Sequence, residues 1–229
     1  MKLLWQQISS PIITDILLSN TEYDGVVLDA EHGHFNDEQL YSCIQARKND
    51  KLMFVRLPEV NKSKISYCLD AGVDGLIFST VETENQSKDI VKYCKYPPIG
   101  KRGLGFAKHN NWGEDKDLGL NKKVILIPQI ETSLGVLNIK QILNEHFDYY
   151  LIGPYDLSLS LGSPGDYSSY NFNQSSSTLV KIIGEEKMGI HIPNPKESDF
   201  QPFINYGLKC VGMDTCTLVE YAKKPHPKL

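Results

Sequence analysis

Residues 124–131 read VILIPQIE: five apolar positions in a row, then an amide, one more apolar residue and an acid. A strand with one wet face alternates apolar and polar residues, whereas a run apolar at every position fits a strand covered on both faces, as in a parallel sheet. GLIF (75–78) has the same character. Working outward, apolar runs rich in Val, Ile, Leu and aromatics recur near 3–6, 25–29, 52–56, 149–153, 189–192 and 209–213, which makes eight.

Most of these runs are separated by enough chain for the crossover helix that parallel neighbours require. Helical spacing is visible over 37–47, where Leu40, Cys43, Ile44 and Arg47 share a face, and over 62–71, through Ile65, Cys68 and Leu69. A third helix is expected over 132–144, with Leu134, Leu137, Ile142 and Leu143. Eight strand–helix units in 229 residues predict an α/β protein, a single (β/α)8 TIM barrel forming one domain over 1–229, with a doubly wound open sheet as the alternative. Two stretches break the rhythm. Residues 96–123 are too long and too rich in Gly, Asn and charge for a plain crossover and are expected to be a functional loop. Residues 163–177, rich in Ser, Asn and Tyr, are expected to be a surface insertion between strands six and seven.

Composition narrows the function. Hydrophobic residues make up 41% and charged residues 23%, with a net charge of −4 and no long run of one sign. That is a globular composition without the basic footprint of a nucleic-acid or membrane-surface binder, so small molecules are the expected partners. Cys43, Cys68, Cys94, Cys210 and Cys216 are odd in number and form no CxxC pair, which argues against a disulfide framework or a thiolate zinc site and for a reducing cytoplasm. The N-terminal apolar stretch is interrupted by Gln6, Gln7, Ser9, Ser10 and Asp15, leaving no signal-peptide core or membrane span. Gly103-Leu104-Gly105 lacks the third glycine of a dinucleotide fingerprint, and there is no phosphate-binding GxxxxGK[ST].

In a barrel the reactive face is the C-terminal end of the strands, so the polar residues that close each run carry the information. Strand two runs into Asp29-Ala30-Glu31-His32-Gly33-His34, strand three ends in Arg56, strand five in Gln129-Ile130-Glu131, strand six in Gly153-Pro154-Tyr155-Asp156, strand seven in His191 and strand eight in Asp214. Any one of these fits a helix cap or a rim ion pair. Their convergence on one mouth matters more, because like charges there repel unless a cation or proton is shared. Glu131 and Asp156, from adjacent strands, either hold a divalent metal through oxygen ligands or serve as a loop-bonded Glu and a capping Asp. Arg56 suits a carboxylate or enolate oxygen, or else pairs with a structural acid. His32 is the best candidate base. His34 is a weaker one, and His109, His146 and His226 lie in polar stretches that read as solvated surface. Asp70, at the end of the third helix, has nothing in its spacing to single it out. No Lys closes any strand, so Schiff-base chemistry is not implied.

Taken together, VVLDAEHG (26–33), FVR (54–56), LDAG (69–72), KYPPIGKRGLG (95–105), QIET (129–132), IGPYDLS (152–158) and VGMDT (211–215) resemble the HpcH/HpaI aldolase family, the metal-dependent class II pyruvate aldolases. The resemblance runs from about Trp5 to Tyr221. It implies Glu131 and Asp156 as ligands of a divalent metal (Mg2+, Mn2+ or Co2+), His32 as the base and Arg56 as the binder of the pyruvyl oxygen. It also implies Asp70 as an acid that pairs with the base, and Gln129, Gly153, Tyr155 and Asp29 as residues of the pyruvate pocket. The implied reaction is reversible cleavage of a 4-hydroxy-2-oxo acid to pyruvate and an aldehyde, in a homo-oligomer that is a trimer or hexamer in the family. Leu57 and Ser79 stand where the family usually has proline, and only about sixteen residues follow Met213, fewer than the terminal helix of many family members needs. The aldehyde pocket is expected to draw on loops, including 96–123, and on contacts from another subunit. Three other readings are a CoA-thioester lyase of the citrate lyase beta-like group, an amidohydrolase-type metal hydrolase, and a non-catalytic 2-oxo acid binder. The hydrolase would need His ligands where strands five and six carry Glu131 and Asp156.

Overall fold

A computed structural model of the chain describes residues 1–19, 21–48, 50–115 and 124–224. Eight strands form one closed parallel barrel in chain order: β1 (Lys2–Gln6), β2 (Gly25–Asp29), β3 (Leu52–Leu57), β4 (Gly75–Phe78), β5 (Ile125–Ile130), β6 (Tyr150–Ile152), β7 (Met188–Ile192) and β8 (Leu208–Val211), with β8 pairing back onto β1. Around it lie α1 (Pro11–Ser19), α2 (Asp37–Gln45), α3 (Lys62–Ala71), α4 (Glu84–Cys94), α5 (Ser133–Leu137), α6 (Ile139–Ile142), α7 (Pro154–Ser160), α8 (Tyr170–Ile183) and α9 (Asp214–Lys223). No helix among the described residues is long and apolar enough to cross a membrane.

The all-apolar runs follow from the two layers they serve. Side chains alternate across a strand, so Val26, Leu28, Met53, Val55, Leu76 and Leu126 face the helices in one buried cluster. Their neighbours Leu3, Trp5, Val27, Phe54, Ile77, Ile127, Leu151, Leu208 and Cys210 fill the barrel interior. The large Phe54 fits there because β4 begins with a glycine: a Cβ on Gly75 would lie 2.4 Å from the Phe54 ring.

The helices at 37–45 and 62–71 form where the spacing predicts, and both start on capping asparagines, Asn36 and Asn61, whose side chains accept the N–H of Gln39 and Lys64. The expected helix over 132–144 is instead two short ones. Asn138 (φ −91°, ψ 6°) leaves helical geometry at the joint and donates its side-chain amide to the Glu82 carbonyl at 2.8 Å. The Ser-rich stretch 163–177 is not all insertion: from Tyr170 it is the first half of α8, capped by Ser169 and seated on Phe172 and Leu179. Within 96–123, residues 108–113 form a 3-10 turn, and 116–123 lie outside the described residues.

Candidate active site

The alternation that fills the barrel also builds its mouth. Two residues beyond the interior layer of Val27, Phe54, Ile77, Ile127, Leu151 and Gly189, the same inward rows carry Asp29, Arg56, Ser79, Gln129, Gly153 and His191. A further two-residue step takes β2 to Glu31 and β5 to Glu131. A polar ring therefore sits on an apolar plug.

On the β1–β3 side this ring is bonded to itself. Arg56 donates Nε to Asp29 Oδ1 at 2.8 Å and Nη2 to Oδ2 at 2.7 Å, while its Nη1 lies 2.9 Å from Glu31 Oε2. The structural-acid role open to Arg56 in the sequence is thus filled, through three of its five N–H groups. Asp29 has no exposed surface and also accepts from Trp5 Nε1 (3.2 Å) and Gln7 Nε2 (3.1 Å). Burial alone would raise its carboxyl, but the Arg56 guanidinium outweighs that and brings it down to about 2. Arg56 lies 4.9 Å above the Trp5 ring, and His191 stacks on Trp5 at 4.0 Å with 16° between planes. Burial pushes His191 down to about 4, so it is neutral, with Nε2 3.2 Å from the Gly212 carbonyl. Ser79 donates to Glu31 Oε2 at 2.6 Å, and His32 Nε2 lies 3.8 Å from the same oxygen. The His32 side chain is 61% exposed, free to meet a ligand.

The β4–β6 side is differently arranged. Thr80, just past β4, adopts left-handed backbone (φ 50°) and gives both its N–H and its hydroxyl to Glu131 Oε1, each at 2.7 Å. Gln129 Nε2 donates to Glu131 Oε2. Burial raises the Glu131 carboxyl above its usual range against these donors. Gln129 Oε1 is buried with no hydrogen-bond partner. Asp156, exposed on the first turn of α7, makes no cap, hydrogen bond or ion pair among the described residues, so of the non-metal alternative the loop-bonded Glu131 is present and the capping Asp is not. Glu31, His32, Glu131 and Asp156 share the wall of one cavity of about 300 Å³.

This donor set fits a hard divalent cation. Three carboxylates line one small cavity, of which Glu31 is engaged by Arg56 and Ser79, and the buried Gln129 Oε1 next to Glu131 lacks a donor. Gly153 keeps the place open: a Cβ there would lie 2.5 Å from Glu131 Oε2 and 2.7 Å from Gln129 Nε2. Oxygen-only ligation with positions left for water or substrate suits Mg2+-like ions. No group of three or more His, Cys, Asp or Glu able to hold a metal occurs among the described residues, so Glu131 and Asp156 would be the carboxylates the protein offers one.

Not every candidate arrives at the mouth. Asp70 is the penultimate residue of α3, which runs back to the end of the barrel where β4 begins, whereas His32 follows the end of β2 at the opposite face. Within one chain Asp70 bonds Arg102 Nη2 at 2.8 Å and lies 3.4 Å from His109 Nδ1. The carboxylate nearest His32 is Glu31, two residues beyond Asp29 on the inward row, a position that the two-residue period marks although no role was read there. The loop after α4 is likewise at the far end, because Cys94 has already returned the chain to the side where β5 starts. The aldehyde pocket expected from 96–123 is therefore not formed by its described part in the same chain. His109, expected at the solvated surface, is mostly covered, with Nε2 2.5 Å from the Tyr96 hydroxyl. His34 is exposed, Tyr155 turns its ring to solvent, and His226 lies outside the described residues.

A family model described as HpcH/HpaI aldolase/citrate lyase matches residues 2–190. A 4-hydroxy-2-oxovalerate aldolase from Novosphingobium aromaticivorans is 31% identical over 95% of this chain and 86% of its own length. A hydroxypyruvate/pyruvate aldolase from Roseobacter denitrificans is 27% identical over 96% of this chain and 88% of its own. The crystal structure of an HpcH/HpaI aldolase from Desulfitobacterium hafniense superposes with a TM-score of 0.86 at 20% identity, over all of this chain and 94% of that one, a likeness of fold.

Proposed function

Because the chain belongs to the HpcH/HpaI aldolase/citrate lyase family, we propose that it is a divalent-metal-dependent carbon–carbon lyase, reversibly cleaving a 4-hydroxy-2-oxo acid to pyruvate and an aldehyde. The observation that carries this reading is the single cavity in which His32 faces Glu131 and Asp156, with Arg56 directly behind Glu31. An aldol cleavage needs a base for the 4-hydroxyl and positive charge for the developing enolate.

Glu131 and Asp156 would hold the metal, with Gln129 Oε1 beside them. When bound, such a cation supplies Lewis-acid activation of the 2-oxo acid. Arg56 would bind the pyruvyl oxygen, and its paired contacts with Asp29 fix the guanidinium plane before substrate arrives. Glu31 lies 3.8 Å from His32 Nε2, and His32 would take the proton of the substrate 4-hydroxyl. The O–H electrons become the aldehyde C=O, the C3–C4 pair moves to C3 as the pyruvate enolate, and the proton on His32 returns to C3. Gln129 and the bare backbone at Gly153 border the pyruvate end. Asp29 acts through Arg56, being fully buried. An Asp70 carboxylate beside His32 would have to come from a second copy of the chain, which the expected homo-oligomer would supply.

The test is exchange of the C3 protons of pyruvate with solvent deuterium, which needs no knowledge of the aldehyde. Exchange is expected with Mg2+, Mn2+ or Co2+, to vanish with EDTA, and to fall about 10²-fold or more in Glu131→Ala and Asp156→Ala. Metal-independent exchange, or none with any divalent ion, overturns the reading.

A further inference from the structure

At the far end of the barrel one carboxylate is held on one side only. Asp70 lies in the last turn of α3, where the helix dipole disfavours an acid. Its Oδ1 accepts from Arg102 Nη2 at 2.8 Å and lies 3.4 Å from His109 Nδ1, and both of these side chains are covered, at 2% and 9% exposure. Oδ2 makes no hydrogen bond among the described residues, and the Asp70 side chain is 36% exposed. Gly105 leaves that oxygen open, since a Cβ there would find only Asp70 Oδ2 within 4 Å, at 3.9 Å.

His109 is itself fixed from behind. Its Nε2 meets the Tyr96 hydroxyl at 2.5 Å, with 23° between the two rings. The next residue, the buried Asn110, pins the turn: its Oδ1 accepts the N–H of Ala107 and of Gly113, each at 3.1 Å, and its Nδ2 donates to the Gly105 carbonyl at 2.7 Å. Burial raises the Tyr96 phenol above its usual range, while burial and the Arg102 charge lower His109. A protonated phenol thus donates to Nε2 of a neutral imidazole, which places the ring N–H on Nδ1, the nitrogen that faces Asp70. Nδ1 is buried and makes no hydrogen bond at 3.4 Å, so a small turn of the carboxylate gives it its acceptor. Two donors converging on Oδ1 fix which oxygen faces in and which faces out. We propose that His109, oriented by Tyr96, is a positioning residue: with Arg102 it holds Asp70 Oδ1 so that Oδ2 is presented to His32 of a second copy. This rests on the aldolase reading above and on Asp70 reaching His32 between copies.

The experiment is exchange of the C3 protons of pyruvate in the metal-loaded enzyme, for Asp70→Asn, His109→Leu, His109→Gln and His109→Asn. An Asn amide reaches the place of Nδ1 and can donate to Asp70, whereas a Gln amide reaches the place of Nε2 and keeps only the Tyr96 contact. His109→Leu and His109→Gln are expected to lose kcat by about ten- to a hundredfold, with KM for pyruvate within about twofold of the parent because Arg56 is untouched. His109→Asn should keep kcat within about threefold. In an Asp70→Asn background, adding His109→Leu should lower kcat by under about twofold, since residues that act as one unit are not additive. A kcat in His109→Gln equal to or above that of His109→Asn overturns the proposal, as does a full additional loss in the double variant. If Asp70→Asn exchanges like the parent, the positioning role is wrong while the aldolase reading stands. If the parent itself shows no exchange with any divalent ion, the aldolase reading fails and the positioning role falls with it.

Discussion

On the β1–β3 side of the mouth every charge is answered by another, whereas on the β5–β6 side carboxylates are brought together with too few partners. Arg56, Asp29, Glu31, Ser79 and Trp5 satisfy one another within a few ångströms. Glu131 is held by neutral donors alone, Asp156 by nothing described, and Gln129 keeps an orphan oxygen. The first half is folded to be finished before a ligand comes, and the second half is left to be completed by one. Fixed orientation on one side and unsatisfied ligation on the other is the division of labour expected of a site that positions an anion and captures a cation.

The difference is sharpest when each half is cut. Arg56→Ala strips the buried Asp29 carboxylate of its counter-ion, so stability should fall by about 3–5 kcal/mol in chemical denaturation, and exchange of pyruvate by about 10²-fold or more. A loss under about 1 kcal/mol would mean that Asp29 is not held by Arg56.

Acid should also act first through the finished half. His191 binds its proton only near pH 4 in the fold but near 6.5 when unfolded, so stability present above pH 6.5 is lost as pH falls toward 4. Asp29 adds a further loss only below its unfolded value near 3.8, as pH approaches 2. His191→Gln should flatten the decline in Tm between pH 6.5 and 4, a difference on the order of 3 kcal/mol at the lower end. An unchanged slope would place the acid sensitivity elsewhere.

The smallest effect on stability belongs to the unfinished half. In Glu131→Gln the new amide oxygen still accepts from Thr80, and a flip of Gln129 turns its orphan oxygen toward the new NH2. Stability at pH 7 should therefore stay within about 1 kcal/mol while exchange is lost. Because the Glu131 carboxyl is raised in the fold, its protonation favours folding at low pH and that contribution is lost as pH rises, so the variant gains on the parent toward alkaline pH. A drop in Tm as large as that of Arg56→Ala would erase the distinction between the halves.

The barrel was legible because burial on both faces leaves an unmistakable mark: VILIP and GLIF have no wet side, and eight such runs account for the sheet. The mouth was legible from the strand ends. What escaped depends on partners distant in the chain. Ser79 and Glu31 bond across 48 residues, and nothing local to either announces the other. The family resemblance picks out Asp70, but a motif does not say that α3 carries it to the far end of the barrel. His109 sits among polar neighbours and is mostly covered all the same, because Tyr96 and Asp70 lie against it. In α8, the serines hide a helix whose only fully buried side chains are Phe172 and Leu179.

Closure of the barrel has one more consequence, for how copies of this chain can meet. Every strand is bonded on both sides, β8 to β1 included, so the molecule presents no free strand edge to a neighbour. Association by strand addition and edge-to-edge aggregation are closed off to the folded chain. Any assembly has to be made through helix faces and loops, among them the far-end loop, where Leu104, Phe106 and Trp112 stand exposed and Tyr96 is bonded to His109.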